Sequence, residues 1–124
     1  MTTYQERMST KIFTIYALQC KTNKRLYIGA TADVDARIGG HLSALKRNEH
    51  TNKTLQTDFN QFGEDAFCFY LIETGVSYEQ SKPIEQKYIA EYNTRDPRRG
   101  YQEKHPRLKP TFKYIIGKPE KPQS

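Results

Sequence analysis

Residues 26–42 read Leu26-Tyr27-Ile28-Gly29-Ala30-Thr31-Ala32-Asp33-Val34-Asp35-Ala36-Arg37-Ile38-Gly39-Gly40-His41-Leu42. Leu26-Tyr27-Ile28 is a short apolar strand closed by Gly29. The polar turn that follows leads into a helix capped near Thr31 or Asp33. Arg37 and His41 stand four residues apart and share one face of that helix. A phenol at a strand end, a guanidinium and an imidazole are thus set to converge on a single phosphate.

Upstream, Lys11 to Cys20 alternates and is rich in β-branched and aromatic residues, which predicts a strand. One face carries Ile12, Thr14, Tyr16 and Leu18; the other carries Phe13, Ile15 and Ala17. Lys21 to Lys24 is a turn, with Asn23 suited to a positive φ. A tight hairpin places Tyr16 within about one residue of register with Tyr27. The helix that follows spans about Asp33 to Arg47, with Val34, Ile38, Leu42 and Leu45 as its core stripe. Gly39-Gly40 inside it costs about 1 kcal/mol per glycine relative to alanine. The pair either permits a close approach between Arg37 and His41 or is a tolerated weak spot.

The remaining elements follow in order. Asn52 to Phe62 is a second helix, burying Leu55, Phe59 and Phe62 and stopped by Gly63. Ala66 to Glu73 is a third strand. Ser77 starts a turn, Pro83 opens a third helix, and that helix runs to about Tyr92 with Ile84, Tyr88 and Ile89 buried. Five of the six prolines lie beyond Thr94, which excludes a long helix and a central strand there. In that stretch Phe112 to Ile116 is a sticky patch able to dock on the body.

Tyr16 in Thr14-Ile15-Tyr16, then Tyr27-Ile28-Gly29, Arg37, His41 and Glu85 form an ordered set that resembles the GIY-YIG nuclease domain. The resemblance covers roughly residues 11 to 93 and extends toward Tyr101. It implies an α+β fold, a small three-stranded antiparallel sheet flanked by three helices. It also implies hydrolysis of DNA phosphodiesters, with Tyr16, Tyr27, Arg37, His41 and Glu85 as the catalytic set. Glu85 lies in Glu85-Gln86-Lys87-Tyr88-Ile89, which is similar to the family's Glu-x-x-Tyr-Ile segment, and is the implied ligand of Mg2+ or Mn2+. Taken alone, it reads as a first-turn glutamate favoured by the helix dipole. Tyr16 is implied to activate the attacking water and Tyr27 to bond phosphate or water, with the roles exchangeable. A tyrosine with a reference pKa near 10 needs neighbouring positive charge for that work, from Arg37, a metal ion or a protonated His41. Two positions depart from the family: Thr14 replaces its first glycine, and Gln102 follows Tyr101 where many members carry asparagine. His50 and His105 stand in polar stretches and receive no role.

Charge supports a polyanionic partner. Of the 124 residues, 1–93 carry eleven Lys/Arg against eleven Asp/Glu, so residues 94–124 hold the whole net charge of +6. The expected organisation is a flexible start over 1–10, a nuclease-like body over 11–93 and a basic, proline-rich arm over 94–124. Arg95, Arg98, Arg99, Lys104, Arg107, Lys109 and Lys113 are its candidate contacts to the phosphates of double-stranded DNA. No apolar run reaches eighteen residues and none reads as a signal peptide, so a cytoplasmic location and no membrane partner are expected. Cys20 and Cys68 fit small core residues rather than a zinc site. The reading is a monomer that nicks one strand per site, dimerising at most on DNA. Its rivals are an inactive DNA-binding module of the same fold and an accessory repair or homing subunit acting with a partner.

Overall fold

The computed structural model describes residues 11–96, 98–101 and 114–121. Positions 1–10, Gln102, Lys104, His105, Arg107, Lys109 and Lys113 lie outside them. Three strands and three helices form the body: β1 (Phe13–Cys20), β2 (Leu26–Thr31), α1 (Val34–Lys46), α2 (Lys53–Phe62), β3 (Phe67–Val76) and α3 (Tyr78–Tyr92). A single 3-10 turn, Glu64–Ala66, joins α2 to β3. β1 is central, antiparallel to β2 on one side and to β3 on the other. The expected three-stranded antiparallel sheet with three helices is therefore the framework. One strand is added: β4 (Tyr114–Ile116), drawn from the sticky patch, lies parallel to β3 at the sheet edge. An edge is where a segment flanked by prolines can pair.

The sheet divides two cores. On one face Tyr16, Leu18 and Tyr27 pack with Ile38 and Leu45 of α1, Leu55 of α2 and Phe69. On the other, Ile15, Ala17, Leu26 and Ile28 pack with Tyr88, Ile89 and Tyr92 of α3. Both faces of β1 are thus covered, and its apolar run needs no solvent side.

Local chemistry sets the boundaries. The Asp33 carboxylate accepts from Ala36 N and caps α1. The Asn52 amide oxygen accepts from Leu55 N and caps α2, while Gly63 (φ 85°) stops it. α3 starts earlier than expected: Ser77 is its cap and accepts from Gln80 N, so Pro83 lies inside the helix rather than at its opening. Six residues into a helix, proline removes one main-chain hydrogen bond, a loss tolerated because the Ser77 cap and the packed carboxyl half hold the rest.

The hairpin also differs from the expected register. Tyr16 pairs with Gly29 and Tyr27 with Leu18. Lys24, not Asn23, takes the left-handed conformation (φ 66°). Cys20 N donates to Arg25 O across the turn, and because Tyr16 stands farther from that turn than Tyr27 does, the two are offset by two residues. A shift of two preserves the face, so both tyrosines still point to the α1 side. Asn23 instead uses its side chain, accepting from Arg25 N and donating to Asp58. The start of the basic arm lies on the body: Gly100 bridges Leu26, and Tyr101 N donates to Leu26 O at 3.0 Å. No described helix is long and apolar enough to cross a membrane. Cys20 and Cys68 are both free thiols.

Candidate active site

Tyr16 is the centre of the site and is fully buried. β-Bulges in the β1–β3 pairing fall on either side of Ile15, immediately before it, where such irregularities re-aim side chains. Arg37 Nε donates to the Tyr16 hydroxyl at 3.2 Å. His41 Nε2 lies 2.9 Å from the same oxygen. The rings of Tyr27 and His41 meet edge to face at 5.5 Å, and Tyr27 lies 6.3 Å from Tyr16 centroid to centroid. Strand pairing and a four-residue helical interval thus gather four of the expected residues.

Gly29 explains the third letter of its triplet. A Cβ built there would sit 2.5 Å from the Tyr16 hydroxyl and from its Cζ. The phenol crosses β2 where no side chain stands. Because Arg37 and His41 pin its far end, the ring cannot swing aside cheaply. Gly29→Ala is expected to lower stability by about 1–3 kcal/mol through overpacking and to displace the phenol. Urea unfolding, with an intrinsic tyrosine signal, measures both.

Glu85 arrives from the opposite layer. It sits mid-way along α3, not in its first turn, so the helix dipole does not account for it. The carboxylate is half-buried, and it makes no hydrogen bond or ion pair among the described residues. Burial raises its pKa, opposed by the nearby charges of Lys82, Arg37 and Arg95. Its own charge in turn acts on Tyr16. Glu85 therefore lies within electrostatic reach of both Arg37 and Tyr16, although it starts from the other face of the sheet.

Desolvation pushes the Tyr16 phenol up to about 12, against the opposing pull of Arg37. The expectation that a protonated His41 supplies positive charge does not hold. Burial, then His50 and Arg37, depress its pKa well below the usual histidine value. His41 is neutral at neutral pH.

The polar shell contains a residue that sequence reasoning passed over. His50 is buried, and its Nε2 lies 2.9 Å from His41 Nδ1. Its backbone N donates to Gln56, whose amide also donates to Leu45 O and Asn60. The only local signal was the position of His50 two residues before a helix cap. Among the arm residues, Arg95 is exposed and donates to Gln86 at 2.8 Å. Arg98 pairs with Asp96 at 3.0 Å, and Arg99 approaches the same carboxylate at 4.0 Å. Thr14, in place of a glycine, is accommodated in β1 opposite Thr31.

No curated protein sequence matches this chain. Two solved structures are similar. A variant of the catalytic domain of intron endonuclease I-TevI has a TM-score of 0.63 at 20% identity, covering 78% of this chain and 98% of that one. The catalytic domain of homing endonuclease I-TevI has a TM-score of 0.60 at 21% identity, covering 73% and 99%. They establish the shared fold. The family model described as the GIY-YIG catalytic domain matches residues 12–102, which contain every residue of the site described above. With most of its length matched in this way, the chain belongs to the GIY-YIG family of endonucleases.

Proposed function

We propose that this protein is a metal-dependent DNA endonuclease that hydrolyses one strand per active site, with some preference among sites. The observation that carries the reading is the meeting of Arg37, His41 and Tyr16 at one oxygen, with the Glu85 charge acting on the same group. Phosphodiester hydrolysis needs an oriented water, relief of negative charge and support for the leaving oxygen. Arg37 meets a non-bridging phosphate oxygen. Tyr16 and Tyr27 orient and activate the water.

No group of three metal-ligating side chains occurs among the described residues. A magnesium-like ion needs none, because it commonly binds through one carboxylate, several waters and the substrate's own phosphate. The half-buried Glu85 carboxylate, without a hydrogen bond among the described residues, suits that donor set, and Glu85 would hold the ion. When bound, Mg2+ or Mn2+ supplies charge neutralisation at the phosphate. Arg95, Arg98, Arg99, Lys104, Arg107, Lys109 and Lys113 contact the DNA backbone outside the reacting group. The protein acts as a monomer in solution.

The purified protein is expected to convert supercoiled plasmid to nicked circle in Mg2+ or Mn2+, and EDTA is expected to stop the reaction. Linear product without prior nicked circle would overturn the single-strand reading. The complete burial of Tyr16 favours a second reading, a DNA-binding module of the same fold without cleavage. That module would bind DNA in a salt-sensitive way and leave the plasmid intact in every divalent ion.

A further inference from the structure

The hydrogen-bond chain behind Tyr16 has a direction, and one main-chain amide sets it. Asn52 N donates to His50 Nδ1 at 3.0 Å. An amide N–H offers no lone pair, so His50 Nδ1 carries no proton. A neutral imidazole then holds its one proton on Nε2. Burial, the first of its causes, brings the His50 pKa down to about 4, so the ring is neutral at neutral pH. His50 Nε2 faces His41 Nδ1 at 2.9 Å, with the two rings nearly parallel at 14°. His50 is the donor there and His41 the acceptor. His41, also neutral, must hold its proton on Nε2, which faces the Tyr16 oxygen at 2.9 Å. The reverse polarity would set a proton on His50 Nδ1 against the Asn52 N–H.

We infer that His50 is a positioning residue: the Asn52 amide locks it, and through it His41, as Nε2–H tautomers, so that His41 donates to Tyr16 and cannot take its proton. The functional part of this inference rests on the nuclease reading; the tautomers do not. The Tyr16 oxygen receives two N–H donors, from His41 and from Arg37 Nε. Its own proton therefore points away from both, and neither partner can accept it. A phenolate, once formed, stays held by both donors. The chain ends in an amide and is no proton exit.

The test uses the full chain labelled with 15N-histidine, with His105→Gln and His50→Gln used for assignment. Two-bond nitrogen–proton correlations near pH 7 are expected to show both His41 and His50 protonated on Nε2. An Nδ1–H tautomer or an imidazolium at either position overturns the proposal. His50→Ala is expected to mix the tautomers of His41 and to slow cleavage roughly tenfold to hundredfold, as losing an orienting partner does elsewhere, with DNA affinity unchanged. His50→Gln restores a donor amide and is expected to recover part of the rate. A rate for His50→Ala equal to wild type, or a loss matched by lost DNA binding, overturns the positioning role. Wild-type protein that never cleaves sinks the nuclease reading but leaves the tautomer measurement decisive for the polarity.

Discussion

Glu85→Gln is expected to leave the protein folded and at least as heat-resistant as wild type, while plasmid nicking falls roughly a thousandfold or more. The rate estimate takes about 4 kcal/mol for lost charge neutralisation at the phosphate, with each 1.36 kcal/mol worth a factor of ten. The stability estimate follows from the sign of the carboxyl shift. Burial raises the folded-state pKa of Glu85, so folding binds the proton more tightly than the unfolded chain does. The resulting destabilisation is complete above the folded-state pKa and vanishes below the unfolded value. At neutral pH the ionised carboxylate therefore costs stability, and a neutral amide of the same shape removes that cost. A group that weakens the fold, makes no hydrogen bond among the described residues and sits within reach of a phenol and a guanidinium is best explained by what it binds. Calorimetry and a nicking time course on the same preparations check both halves. Equal nicking by the variant would remove Glu85 as the metal ligand.

Much of this arrangement was legible because it is local. Asp33, Asn52 and Gly63 bound their helices by capping rules that operate within three or four residues. The pairing of Arg37 with His41 follows from helical periodicity alone, and the shared face of the tyrosines survives a register error of two. The depth of Glu85 in α3 was hidden because a proline and a serine both signal helix starts, and Ser77 won through its bond to Gln80 N. β4 was hidden because three residues among prolines carry almost no strand signal, and only the exposed edge of β3 makes them one. His50 was invisible for a deeper reason. Its neighbours in sequence are polar, and its partner lies nine residues back, in α1. Its burial depends on how α1 and α2 pack, which no short window contains.

The same dependence on distant packing underlies the largest stability effect expected in the molecule, at Asp58. Its buried carboxylate accepts from Tyr101 Oη at 2.6 Å, from Asn23 at 2.8 Å and from Arg25 Nη1 at 3.1 Å. It thereby ties α2 to the β1–β2 turn and to the start of the arm. Burial first, then Asp58 itself, push the Tyr101 phenol far up, so its hydroxyl remains a donor with nowhere else to go. Asp58→Ala is expected to cost about 3 kcal/mol, most of it from the stranded phenol and amide. The ion pair adds little, because 28% of the Arg25 side chain meets solvent. Tyr101→Phe removes only one donor and is expected to cost about 1 kcal/mol, since Arg25 and Asn23 still serve the carboxylate. The effect should reach the site, because Tyr101 O accepts from the Asn52 side chain, and the Asn52 main chain holds His50. Nicking by Asp58→Ala should therefore fall even below its unfolding temperature. In a double-mutant cycle by urea unfolding, the two changes should combine to less than their sum, because both remove the same bond. Strict additivity would mean that the phenol and the carboxylate do not act on one another, and that this part of the arm is held by its bonds to Leu26 and Asn52 instead.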